Sequence, residues 1–261
     1  MLTPFSRTEL LFGKENMDKL QNSRVLVFGI GGVGGYVVEA LARSGVGALD
    51  IVDDDKVSLT NINRQIYALH STVGKYKVDV AEERIHDINP DCKVTKYQMF
   101  FLPETADKFN FKDYDYVVDC IDTVSGKIQI IMQAKESDAP VISCMGAGNK
   151  VDPSQFRVAD ISRTSVCPLA RVIRKELKAR GVEHLKVIYS TEPVIHSNCD
   201  PELTTDGKPG KQTPGSNAFT PSVAGFLIAG EVIRDLTEFH VTDLLKSESD
   251  KAKAKTKKAD R

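Results

Sequence analysis

Net charge is nearly absent from this chain: 35 Lys and Arg stand against 36 Asp and Glu, a balance of −1 over 261 residues. That excludes a uniformly basic protein that coats nucleic acid, though not a local basic face. Paired cysteines are absent too. Cys92, Cys120, Cys144, Cys167 and Cys199 form no CxxC, so neither a zinc knuckle nor a thioredoxin-type dithiol is written here. Their odd, scattered count suits a reducing compartment. The histidines (His70, His86, His184, His196, His240) show no ligand spacing. No apolar run reaches the roughly 20 residues a membrane span needs. The longest, Val223–Ile233, contains Glu231. The opening segment is broken by Arg7, Glu9, Lys14 and Glu15, unlike a secretion signal. A cytoplasmic protein with no membrane contact is expected.

What is present suits a globular body: 41% hydrophobic and 27% charged residues can bury a core. Short β-branched runs alternate with helical periodicity. Strands are expected at 24–29, 48–52, 93–101, 116–121 and 140–145, and helices at 32–44, 75–88 and 125–137. Such alternation predicts an α/β fold, a Rossmann-like doubly wound, mostly parallel sheet with ligands at the strands' carboxyl ends. After Gly148 the rhythm changes. A strand at 156–161, a basic helix at 168–180, a strand at 186–190 and an apolar helix from Pro221 to about Leu236 form a C-terminal extension. The expected organisation is a helical arm over 1–23, a nucleotide-binding core over 24–150, the extension over 151–240, and a Lys-rich, low-complexity tail over 241–261. Within the extension, 192–221 is rich in Pro, Gly, Ser, Thr and Asn and reads as a mobile or functional loop.

The first strand runs into Gly29-Ile30-Gly31-Gly32-Val33-Gly34, a G-x-G-x-x-G that opens a helix. Gly29, Gly31, Gly32 and Gly34 let backbone approach a phosphate at the helix N-terminus. Asp53 closes the second strand 24 residues on, where a carboxylate accepts from ribose hydroxyls. This much fits any nucleotide, a nicotinamide dinucleotide included. The next residues favour a triphosphate. Arg64 offers a planar fork for phosphate oxygens, Lys77 adds a point charge at a helix start, and Asp122, past the fourth strand, can bind Mg²⁺ through oxygen. Each has a plainer reading: Arg64 an exposed surface residue, Lys77 a solvated helix face, Asp122 an N-cap.

Their ordered combination resembles the ubiquitin-activating-enzyme-like adenylyltransferase superfamily. The matching runs are GIGGVGG (29–35), ARSGVG (42–47), DDDKVSLTNINRQ (53–65), TVGKYKVD (72–79), INP (88–90) and VVDCIDT (117–123). The resemblance implies ATP and Mg²⁺ at the sheet edge and a substrate carboxylate activated as an acyl-adenylate. It places Asp53 at the ribose, and Asn61, Arg64 and Lys77 at the phosphates. Asp55 and Gln65 join the nucleotide set, and Asp122 takes the metal. Arg7 is placed like the family's N-terminal arginine that reaches into the partner's site, which implies a homodimer.

Superfamily members that activate ubiquitin-like or sulfur-carrier proteins usually carry two CxxC pairs, and this chain has none. Its DTVSGK (122–127), SCMGAGNKVDP (143–153), VADI (158–161), basic 168–180 stretch and STE (190–192) resemble the tRNA threonylcarbamoyladenosine dehydratase family. That resemblance implies ATP-dependent cyclisation of N6-threonylcarbamoyladenosine beside the anticodon of tRNA. The alternative is activation of the C-terminus of a sulfur-carrier protein. An NAD-dependent oxidoreductase and a non-catalytic nucleotide scaffold are the remaining readings. Lys127, just over one helical turn past Asp122, is expected to reach a phosphate or the carboxylate. Cys167, ahead of a helix opened by Pro168, reads as a packing residue or a thiol of lowered pKa.

Charge is unevenly placed. Residues 163–186 hold seven basic against two acidic residues, and 246–261 seven against three. Arg171, Arg174, Lys175 and Lys178 share one helix face by spacing, with Arg163 just upstream. Phosphate contacts need such a face, and these five are the expected tRNA-binding residues.

Overall fold

The computed structural model describes residues 2–196 and 214–239. The expected tail, and most of the expected loop, lie outside the described residues. Seven strands form one sheet: β1 (Arg24–Phe28), β2 (Ala48–Val52), β3 (Lys93–Tyr97), β4 (Tyr116–Asp119), β5 (Val141–Cys144), β6 (Phe156–Asp160) and β7 (Lys186–Ser190). Their order is β3-β2-β1-β4-β5-β7-β6. All neighbours are parallel except β6, which runs antiparallel to β7. The expected α/β, mostly parallel sheet is therefore observed. Because β5 pairs with β7, the extension beyond residue 150 continues the same sheet.

The helices are α1 (Ser6–Phe12), α2 (Lys14–Asn22), α3 (Gly34–Arg43), α4 (Lys77–Ile88), α5 (Val124–Glu136), α6 (Pro168–Ala179) and α7 (Thr220–Thr237). β1, β4 and β5 are apolar and buried on both faces, as parallel strands covered by helices must be. On one face, α2, α3, α4 and α7 pack around Val25, Val27, Leu49 and Ile51. On the other, α5 and α6 cover Leu26, Phe28, Val117 and Val141. Among the described residues, no helix is long and apolar enough to cross a membrane.

One strand is shorter than its pattern suggests. β3 stops at Tyr97, not Phe101. Phe101 turns inward instead, 3% exposed, with its ring 4.6 Å from that of Phe28. Phe109 and Phe111 complete this cluster around Phe28. Burying aromatic area outweighs extending an edge strand that already shows solvent on most of its residues.

The direction of winding reverses between β1 and β4, the switch point at whose carboxyl ends a doubly wound sheet offers a ligand crevice. The register places Phe28, Val52 and Asp119 level there, with Ser143 beside Asp119. The residues that follow, Gly29, Asp53 and Cys120, form the rim of this crevice.

Phe28→Ala should cost about 3–5 kcal/mol in urea unfolding, because a fully buried ring leaves a cavity. Phe100→Ala, at a residue 49% exposed next to the same cluster, should change stability by less than about 0.5 kcal/mol.

Candidate active site

The turn after β1 is built for close approach. At Gly34 a Cβ would sit 1.8 Å from the Gly29 carbonyl oxygen, so no other residue fits. Gly29 has a φ of +78° and lies against the Cys120 carbonyl of the neighbouring strand exit. Among the described residues, the N–H groups of Gly31, Gly32, Val33 and Gly34 have no backbone acceptor. Four free donors at the start of α3, with the helix dipole behind them, make an anion cradle.

Asp53 borders this cradle. Its Oδ2 accepts from the Ile30 N–H at 2.9 Å and its Oδ1 from the Asp55 N–H at 3.0 Å. Burial pushes its carboxyl above the usual range, and Lys77, 3.6 Å away, pulls the other way without cancelling the effect. The Lys77 ammonium is almost fully buried and donates to Asp55 at 2.6 Å. A polyphosphate would compete with Asp55, which is itself 64% exposed, for this cation. The carboxylates of Asp53, Asp54 and Asp55 lie close together, and the single Lys77 ammonium pairs with two of them.

Arg64 and Gln65 come to the cradle from the other side. The Arg64 stem would touch a Cβ at Gly32, and Gln65 Nε2 lies 3.6 Å from where one would stand at Gly31. The Arg64 guanidinium rests on its own loop, donating to the Thr60 carbonyl at 2.8 Å and to Asn63 Oδ1 at 3.1 Å. Gln65 is buried, yet its Oε1 has no hydrogen-bond partner among the described residues. A buried unpaired amide oxygen is costly, and a ligand donor would relieve it. Asn61 is buried and its Oδ1 accepts from Ser58 N–H, so part of its side chain serves the local turn.

Asp122 is exposed between β4 and α5, two residues past the Cys120 carbonyl that abuts Gly29. Thr123, not Asp122, is the N-cap residue of α5, which removes the plain reading. Lys127 needs a correction. It is fully buried on α5, with its Nζ 2.8 Å from Asp119, so its ammonium is shut off from solvent and engaged by that carboxylate. Asp119 was missed in the sequence. A carboxylate inside the apolar run YVVDCI was its signal, because a buried Asp demands a cation.

Arg7 is exposed on α1, far from this rim. Phe5, two residues before it, packs against Gly45 beyond the C-terminus of α3. The ten residues of α3 separate that end from the glycine turn by about 15 Å. Arg7 therefore does not join the site of its own chain.

The basic stretch splits. Arg163, Arg171, Lys175 and Lys178 are exposed, on α6 and just before it. Arg174 is half-buried and donates to the Thr164 carbonyl at 3.0 Å and to its hydroxyl, bracing the β6–α6 connection, so its share in an RNA face is corrected to a structural one. α6 starts at the rim, since Cys167 Sγ lies 3.8 Å from where a Gly146 Cβ would be. Cys167 is buried at the N-cap and makes no side-chain cap bond, which fits the packing role. Burial pushes the Cys144 thiol up to about 12 and the Cys120 thiol well up, so neither is a ready nucleophile.

The late segment also reaches the rim. Asn63 Nδ2 donates to the Ser216 carbonyl at 3.0 Å. Asn149, at φ +56°, accepts on Oδ1 from Gly215 N–H and on its carbonyl from Ile195 N–H. Residues 214–217 thus lie between Arg64 and the exit of β5.

With this geometry in place, likeness to known proteins decides the family. A model described as the ThiF family matches residues 5–259. The chain belongs to the ThiF family. It is 47% identical over 242 residues to the tRNA threonylcarbamoyladenosine dehydratase of Bacillus subtilis, covering 90% of this chain and 95% of that protein. Crystal structures of the Escherichia coli tRNA N6-threonylcarbamoyladenosine dehydratase, with ATP and with AMP, match it at TM-score 0.80 and 32% identity. They cover 90% of this chain and 94% of that one. An adenylyltransferase and sulfurtransferase (uba4) of Aspergillus clavatus is 37% identical over 131 residues, 50% of this chain and 26% of that protein. The likeness to the ATP-bound Escherichia coli structure covers 90% of the chain, and the likeness to the sulfurtransferase half of it.

Asp53→Asn separates binding from stability. A buried carboxyl whose folded pKa lies above its unfolded one stabilises below the unfolded value and loses that contribution as pH rises through the folded one. At neutral pH charged Asp53 therefore adds no stability, and Asp53→Asn should melt within about 3 °C of the wild type. Calorimetry should show ATP binding weakened by about tenfold or more. In the wild type, ATP binding should fall with pH through a point above 3.8, the ordinary carboxyl value.

Proposed function

We propose that this ThiF-family chain uses ATP to cyclise N6-threonylcarbamoyladenosine next to the anticodon of tRNA. The carrying observation is the cradle of four free N–H groups, flanked by Asp53, Arg64, Gln65 and Lys77, on a chain similar over 90% of its length to a dehydratase of that name.

The chemistry follows from what the rim offers. A carboxylate is a poor electrophile. Its oxygen attacks the α-phosphorus of ATP, pyrophosphate leaves, and an acyl-adenylate forms. The carbamoyl group of the same nucleoside attacks the acyl carbon, the acyl C–O bond breaks, AMP leaves and the ring closes. The tRNA loses one water in net terms, and ATP becomes AMP and pyrophosphate. Both nucleophiles belong to the substrate, which agrees with buried thiols that resist ionisation. The chain supplies position and charge. Asp53 holds the ribose. The glycine N–H groups, Arg64 and Lys77 take the phosphates, with Lys77 exchanging Asp55 for phosphate oxygen. Gln65 and Asn61 complete the nucleotide contacts. Asp122 has no partner among the described residues, and one exposed carboxylate with substrate phosphates is a donor set that suits Mg²⁺. Bound there, Mg²⁺ would neutralise polyphosphate charge.

Two copies supply each site in this reading. Arg7 is too far from its own cradle and is free to enter a partner's, and Leu10 and Leu11 beside it are 86% and 72% exposed. A homodimer covers them. Arg163, Arg171, Lys175 and Lys178 hold the tRNA backbone along α6. A tRNA substrate implies a cytoplasmic location.

Arg64→Ala and Asp122→Ala should each lower ATP-dependent conversion of the tRNA by about 100-fold or more while the fold melts normally. Arg7→Ala should be equally inactive. An equimolar mixture of Arg7→Ala and Arg64→Ala subunits, refolded together, should regain about a quarter of wild-type activity, since one site in each mixed dimer is intact. No recovery on mixing would exclude a trans-acting Arg7. Pyrophosphate exchange with a C-terminal Gly-Gly protein, and none with tRNA, would support the sulfur-carrier reading instead.

A further inference from the structure

The buried Asp119–Lys127 pair lies outside every role given so far. Asp119 ends β4 and is fully buried, as is Lys127. One carboxylate ties three elements. Its Oδ2 accepts from Lys127 Nζ of α5 at 2.8 Å and from Ser143 Oγ of β5 at 2.5 Å. Its Oδ1 accepts from the Ile121 N–H at 3.2 Å. The Lys127 N–H in turn donates to the Thr123 carbonyl at 2.9 Å. Residues 120–123, which carry Asp122, are therefore tied at one end to the Asp119 carboxylate and at the other to the first turn of α5, the helix that the Lys127 side chain anchors to Asp119. Ile121 extends the constraint: it packs against both Gly126 and Gly29, where a Cβ would meet it at 2.7 and 2.9 Å. The loop of Asp122 and the turn of the phosphate cradle share this one wedge.

Stability alone is a poor reason for such a pair. Desolvating two charges offsets most of their attraction, and apolar replacements of like size are often no less stable. Burial lowers the ammonium's proton affinity, but Asp119 more than restores it, so Lys127 stays charged and bonded. What the pair offers over packing is direction.

We infer that Asp119, Lys127 and Ser143 form a positioning cluster that fixes the 120–123 loop, and hence the Asp122 carboxylate, in register with the Gly29 turn. Lys127 acts on turnover through Asp119 and touches no nucleotide. The inference rests on the reading of Asp122 as a residue of the ATP site.

The test uses the full chain. Lys127→Met alone strands a buried carboxylate, so the main variant is the double replacement Asp119→Leu with Lys127→Met, which removes both charges. It should melt within about 5 °C of the wild type. Its kcat with tRNA should fall at least about 30-fold while the KM for ATP stays within about threefold. Amide exchange at 120–123, read by mass spectrometry on the protein without substrate, should quicken at least about tenfold. Ser143→Ala keeps the ion pair and removes one tie; it should show the same pattern, smaller, and it decides the matter if the double variant does not fold. Wild-type kcat with unchanged exchange would overturn the inference. So would a rise in the KM for ATP that matches the loss in kcat, because that would mean Lys127 binds phosphate. Exchange needs no turnover: loosened 120–123 amides beside a wild type inactive on tRNA would count against the proposed function and leave the positioning intact.

Discussion

The contact on which the rest depends is the approach of α3 to the end of β1. Only with no side chain at Gly34 can the helix descend to the Gly29 carbonyl. Four N–H groups without a backbone acceptor among the described residues lie there, next to the switch point between β1 and β4. α7 follows the same rule, since a Cβ at Gly225 would lie 2.5 Å from the Val33 carbonyl. The late segment is thereby brought to the same rim by way of Pro221 and Ser216.

Around the cradle, charge is arranged as competition. Lys77 is held, near-buried, between Asp53 and Asp55, and Arg64 rests on Thr60 and Asn63. Each cation has an exposed partner on its own chain, Asp55 for Lys77 and the Thr60–Asn63 loop for Arg64, with which phosphate oxygens would compete. Gln65 has a buried amide oxygen with no partner among the described residues, a cost that a ligand donor would relieve. Lys127 is the opposite case: both it and its partner Asp119 are fully buried. Two lysines that read alike in sequence thus have different jobs because one faces the crevice and the other faces the sheet.

Most of the fold was legible because periodicity and turn residues agree. The parallel strands are apolar runs, the helices start near Gly, Pro or Thr, and the glycine turn follows a strand. The failures have physical causes. The sequence pattern overextends β3 because Phe101 is as apolar as a strand residue, yet it packs on Phe28. Lys127 was read as a ligand because helical spacing says how far a residue is from Asp122 but not which way it points. Arg174 shares a spacing with its basic neighbours, but Thr164 captures it. Asp119 and Ser143 were missed because their pairing joins two strands and a helix, and no local pattern records it. Net charge concealed the split between a basic α6 and an acidic remainder, which only counting by segment brings out.

The central claim is that this chain closes the threonylcarbamoyl ring on tRNA at the expense of ATP. Nucleoside mass spectrometry of tRNA from cells lacking the gene, with and without the gene restored, tests it most directly. The account predicts that the cyclic nucleoside disappears, that the open form, one water heavier, accumulates in its place, and that restoring the gene reverses both. Unchanged cyclic nucleoside in the deleted strain would contradict it.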